Sequence, residues 1–189
     1  MNPVIVLIGL VLIIGVLGVM IYNGLVSRRQ RCNQAFADID VQLKQRQNLV
    51  PNLVDTVKGY AAHEQDTLDA VIAARNSAVK ASAASDMSVA EGTLTAELGR
   101  LFALAEAYPD LKANENFKQL QEELGVVEDK IAAARRFFNS AVQDYNTARE
   151  QFPGVLVAQW FRFEPRAFFD LGVEGRSSLS APPEVDFRD

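Results

Sequence analysis

The chain has 189 residues, with 19 Lys and Arg against 24 Asp and Glu, for a formal net charge of −5, and it holds one Cys and one His. An acidic balance without a basic stripe argues against nucleic acid as a partner, and one Cys excludes an internal disulfide. One His excludes the zinc, paired-haem and di-iron ligand sets that need more than one, so no cofactor and no metal site is expected.

The first element is the apolar run Val4–Tyr22, nineteen positions without a charge. At ~1.5 Å rise per residue it is ~28 Å long, close to the ~30 Å hydrocarbon core of a bilayer. A cleaved leader would carry a basic start, a shorter apolar stretch and a small-residue cleavage site, none of which is present. A buried core helix seldom needs so long an uninterrupted apolar run. The chain is therefore expected to open with a single-pass anchor over 1–24. Arg28, Arg29 and Arg31 follow it, then Lys44 and Arg46, and no Lys or Arg precedes it. By the positive-inside rule the N-terminus faces out and the remainder is cytoplasmic. Gly9, Gly15, Gly18 and Gly24 are never four apart, so the helix-pairing glycine motif is missing. Cys32 is expected to be a small apolar residue in a helix contact.

Behind the anchor, Phe36, Ile39, Leu43, Val50, Leu53, Val57 and Tyr60 recur at spacings of three and four, a coiled-coil seam in which Arg46 takes one place. No Gly or Pro lies between Gly24 and Pro51, so span and helix are expected to form one stalk. Pro51 removes the bond to the carbonyl of Gln47, and a kink is expected there. A turn near Gly59–His63 leads to a second helix over Glu64–Ala84 with Leu68, Val71, Ile72 and Val79 on one side. Ser85–Ser88 is expected to break it, with Ser88 and Glu91 as a capping box for a third helix bearing Leu94, Leu98, Leu101, Phe102 and Ala105. That helix should stop before Tyr108-Pro109. Asn114 caps a fourth, which runs to about Glu150 and ends at Phe152-Pro153-Gly154. His63-Glu64 resembles the start of a zinc-protease motif, but Thr67 stands where its second His belongs.

The fold class expected is all-α: an N-terminal transmembrane helix leading into an antiparallel up-and-down four-helix bundle over 25–152, with two long and two shorter helices. Residues 153–175 are aromatic-rich. Trp160, Phe161, Phe163, Phe168 and Phe169 either fold back over the bundle or form an interface with another subunit, a partner or lipid headgroups. The Ser- and Pro-rich stretch 176–189 reads as a disordered tail.

These pieces resemble the LemA family of bacterial membrane proteins. The resemblance rests on Tyr22-Asn23-Gly24-Leu25-Val26 after the anchor, IDVQLKQRQNLVPNLVDTVKGYAAHE (Ile39–Glu64), AYPDLKANENFKQLQEEL (Ala107–Leu124), FFNSAVQDYN (Phe137–Asn146) and Phe152-Pro153. It implies a membrane-anchored up-and-down helical bundle in the bacterial cytoplasmic membrane. It also implies links to membrane organisation, with one branch in magnetosome biogenesis and others near membrane proteases. It carries over no catalytic residue.

Within the motifs, Arg46, Asn48, Asn52, Glu128, Arg135 and Asn139 form a candidate polar network. It either fixes helix register and satisfies the carbonyl freed by Pro51 or lines a groove for a ligand or partner segment. Arg46 is expected to pair with Glu128. With no nucleophile, base or metal grouping, the chain is read as a non-enzymatic membrane scaffold that self-associates. The alternative is an adaptor for another membrane protein such as a protease or sensor. The partners expected are the lipid bilayer, further copies of the chain and another membrane protein, but no nucleic acid.

Overall fold

The computed structural model describes residues 2–81 and 84–169. All its regular structure is helical: α1 (Pro3–Lys58), α2 (Gln65–Lys80), α3 (Ala84–Ala105), α4 (Pro109–Ala113), α5 (Glu115–Glu150) and α6 (Gly154–Trp160). Residues 170–175 of the aromatic-rich segment, and the tail expected over 176–189, lie outside the described residues.

α1 is continuous over 56 residues and passes through Pro51. From Val4 to Met20 every large apolar side chain is 49–66 % exposed. Beyond the span the burial becomes periodic. Leu25, Cys32, Ile39, Arg46 and Leu53, seven apart, are each at most 2 % exposed. α5 repeats the device with buried Phe117, Leu124, Ile131, Phe138 and Tyr145. A strict seven-residue repeat keeps one stripe facing its neighbours along the whole helix.

The chain divides into two compact units. The first joins residues up to Val41 with 131–168. Here α1 meets α5: the Cys32 thiol donates to the Ala141 carbonyl at 3.2 Å, and the Phe36 and Phe138 rings lie 5.7 Å apart. The second is built around 42–130. Its core gathers Val50, Leu53 and Val57 of α1, Leu68 and Val71 of α2, Leu94, Leu98 and Leu101 of α3, Leu111 of α4, and Phe117 and Leu124 of α5.

Several local expectations are corrected. Ser85–Ser88 does not break the chain. Helix α2 ends at Lys80, and α3 already includes these residues. Glu91 therefore sits inside α3 and caps nothing; it is 1 % exposed. Val79 is half-exposed, and Ala74 and Ala78 take the buried stripe of α2 in its place. Pro109 opens a short helix, α4, which the breaker signals hid because Pro fits the first helical position. Asn114 does cap α5: its Oδ1 accepts the Phe117 amide at 3.0 Å.

Candidate functional site

Two constellations stand out, one in each unit. In the second, Arg46 is wholly buried. Its Nη1 donates to Glu128 and to Thr95 Oγ1 (2.9 Å), and its Nη2 to the Glu91 carboxylate and the Glu91 backbone oxygen (3.0 Å). Gln47 Nε2 donates to the other Glu91 oxygen at 2.7 Å. One guanidinium thus ties α1 to α3 and α5, and the buried charges are both paired and hydrogen-bonded, which is what allows them in an interior. Both Glu91 oxygens are occupied and the residue is closed to solvent, so neither is free to exchange a proton with a substrate. The carbonyl of Gln47, which has lost its helical donor to Pro51, accepts Arg75 Nε from α2 at 3.2 Å.

Of the residues expected in a polar network, the structure brings Arg46 and Glu128 together. Asn48 and Asn52 point to solvent, and the Asn52 carbonyl accepts Thr56 Oγ1 at 2.8 Å. Arg135 and Asn139 are half-buried and belong to the first unit. Glu91, Thr95, Gln47 and Arg75 were not foreseen. Glu91 was masked by its resemblance to a capping residue, whereas the Arg75 contact had one usable signal, the carbonyl that Pro51 must orphan.

In the first unit α5 holds down the segment after α6. Tyr145 Oη donates to the Glu164 carbonyl (2.8 Å). The Asn146 side-chain amide pairs with the Arg166 backbone in both directions, donating at 2.8 Å and accepting at 3.0 Å. Arg166 Nη2 reaches Asn33 Oδ1 at 2.6 Å. Burial pushes the Tyr145 phenol above its ordinary range, against the pull of Arg29, Arg149 and Arg166. Phe163 is buried with its ring 5.5 Å from Tyr22, and the Arg29 guanidinium stands 5.2 Å from the ring centroid. Phe161 lies 4.8 Å from Tyr22. Trp160 (84 % exposed), Phe161 and Phe168 face outward, while Phe169, which belongs to the second unit, is buried.

Two hollows flank this contact. An apolar one of about 330 Å³ is walled by Gly15, Gly18, Val19, Tyr22, Val157 and Phe161. A polar one includes Ser27, Arg28 and Arg31 of α1 with Asp144, Thr147 and Gln151 of α5. Among the described residues no group of three His, Cys, Asp or Glu is placed to hold a metal ion.

An exposed apolar run, helices buried at heptad positions and a buried arginine held between two carboxylates define an all-helical protein whose N-terminal helix is long and apolar enough to cross a membrane. The model of the LemA family matches residues 35–187, and the chain belongs to that family. Among its relatives, magnetosome protein MamQ of Magnetospirillum gryphiswaldense is 25 % identical, with 86 % of this chain and 70 % of the relative covered. A magnetosome protein of Paramagnetospirillum magneticum, MamQ 2, is 24 % identical over the same shares. Protein LemA of Metamycoplasma hominis is 27 % identical, covering 72 % of this chain and 63 % of its own.

Proposed function

We propose that this chain is a non-enzymatic scaffold, anchored by Val4–Tyr22 in the bacterial cytoplasmic membrane with its N-terminus outside, and that copies associate to organise that membrane. The observation that carries the reading is the span itself. Side chains from Val4 to Met20 stand open, and so large a continuous apolar surface is stable only in lipid or against another chain. The cytoplasmic part is a bundle of α1, α2, α3 and α5, and the Arg46 cluster fixes its register instead of performing chemistry. MamQ is named a magnetosome protein, and the corresponding role here is the shaping or holding of a membrane.

The test is the mass of the full-length protein in mild detergent or nanodiscs, by light scattering, beside electron microscopy of the same sample. A large homogeneous assembly is expected. A monomer that co-purifies with a different membrane polypeptide in fixed ratio would replace this reading with the adaptor.

A further inference from the structure

We propose that α6 and its flanking aromatics are embedded in the leaflet from which the span emerges, as an interfacial helix clamped to the end of α1. The inference rests on the reading of Val4–Tyr22 as a span and adds a second, separate membrane contact.

Depth carries the argument. Val157 and Phe161 wall the same hollow as Gly15, Gly18, Val19 and Tyr22, and the Phe161 ring lies against Tyr22. Gly15 lies seven residues before Tyr22, about 10 Å along a helix. If Tyr22 marks the edge of the hydrocarbon, side chains of α6 reach about 5–10 Å inside it, the depth at which interfacial helices settle. Composition agrees. From Gln151 to Phe161 there is no charge, and Arg149, Glu150 and Arg162 bracket the run. Exposure agrees too. Phe152 is 79 % exposed, Leu156 57 % and Trp160 84 %, a cluster that water disfavours and a leaflet accepts.

The other side of the contact is already fixed in place. Tyr145 and Asn146 pin residues 164–166, and Phe163 is held between Tyr22 and Arg29, so α6 cannot leave the span end without breaking these bonds. About two turns beyond the span, Arg28 and Arg31 open into the polar hollow, and their long side chains can reach back toward lipid phosphates. Apolar residues below and arginines above are the charge order of a bilayer surface, which is why the occupant is lipid and not a second copy.

Trp160 is the chain's one tryptophan, so the unaltered protein reports on the proposal. The full chain is reconstituted in vesicles of phosphatidylcholine and phosphatidylglycerol, and Trp160 emission is read with brominated phosphatidylcholine and with aqueous acrylamide. The expected result is a blue-shifted emission that loses most of its intensity to bromolipid, is shielded from acrylamide, and does not change with protein-to-lipid ratio. Emission at the position of tryptophan in water, quenched by acrylamide, would overturn the proposal. So would a blue shift that bromolipid leaves untouched and dilution in lipid removes, since Trp160 would then be covered by another copy. An alkaline carbonate wash separates the two readings. Protein that washes off the vesicles refutes the span, whereas protein that stays on them with Trp160 in water refutes only the embedding of α6.

Discussion

Arg46 occupies a position where its heptad neighbours Ile39 and Leu53 are apolar, and it is as buried as they are. Removing it leaves the Glu91 carboxylate buried with its charge uncompensated. Arg46→Ala is therefore expected to cost about 3–5 kcal/mol, read as a loss of helical signal at lower denaturant in detergent-solubilised protein. Glu91→Gln should approach that cost. Glu128→Gln should cost about 1 kcal/mol or less, because the Glu128 side chain is 41 % exposed and water screens the pair. Equal losses at Glu91 and Glu128 would contradict this geometry. The Gln47 carbonyl gives a sharper test. Arg75→Ala should cost about 1–3 kcal/mol by leaving a buried acceptor unmet. In a Pro51→Ala background it should cost much less, because the restored amide of residue 51 can donate to that carbonyl; a double-mutant cycle measures the difference. The odd position of Arg46 and the carbonyl freed by Pro51 were both legible in the sequence. The identities of Glu91 and Arg75 were not, because pairing across helices depends on which faces meet, and local spacing carries no information on that.

At the scale of elements, the long helices were legible because they repeat. Five buried positions at seven-residue spacing in each of α1 and α5 leave little freedom over which face is buried. The short elements were not. α4 is five residues between a proline and a cap, too short for any periodicity, and the α2–α3 boundary shifted because Ser and Asp are tolerated in a first turn as readily as in a loop. α6 shows how its ends are set. At its start, a Cβ on Gly154 would lie 2.2 Å from the Ala148 carbonyl oxygen, so the next element can approach α5 only through glycine. Gly154→Ala should cost about 1–3 kcal/mol and loosen α6, visible as greater protease cleavage after Arg162. At its end, the Phe163 amide donates to the Ala158 carbonyl at 2.9 Å around Arg162, whose φ is 53°. This is the hydrogen-bonded helix stop that glycine usually makes. Arg162→Gly should therefore raise stability by up to about 1 kcal/mol in a thermal melt of detergent-solubilised protein. Burial of the Tyr145 phenol adds a pH dependence. A phenol raised in the folded state stabilises fully below its unfolded value of about 10, and that contribution is lost as pH climbs through the raised one. Cys32, raised by burial, acts in the same direction. Tyr145→Phe should flatten the alkaline limb of stability against pH while lowering the neutral plateau by about 1 kcal/mol.

For the whole molecule, the proposed anchor carries a prediction of which side of the membrane receives the folded part, argued from the charges at the span end. Arg28, Arg29 and Arg31 would each gain about 1 kcal/mol beside an anionic cytoplasmic leaflet, a bias of about 3 kcal/mol toward the cytoplasm. The native thiol cannot report on this. Cys32 is fully buried, donates to Ala141 and is held in its protonated form by burial, so maleimides should leave it unlabelled until the protein unfolds. A cysteine placed at the exposed Ser140 of α5 supplies the missing probe, with Cys32 kept as an internal control for folding. A membrane-impermeant maleimide should label Ser140→Cys in inverted vesicles and leave it untouched in intact spheroplasts. Labelling in spheroplasts, with Cys32 still silent, would place the folded part outside. It would also mean that three arginines at the end of a span had been overruled by the translocation of the rest of the chain.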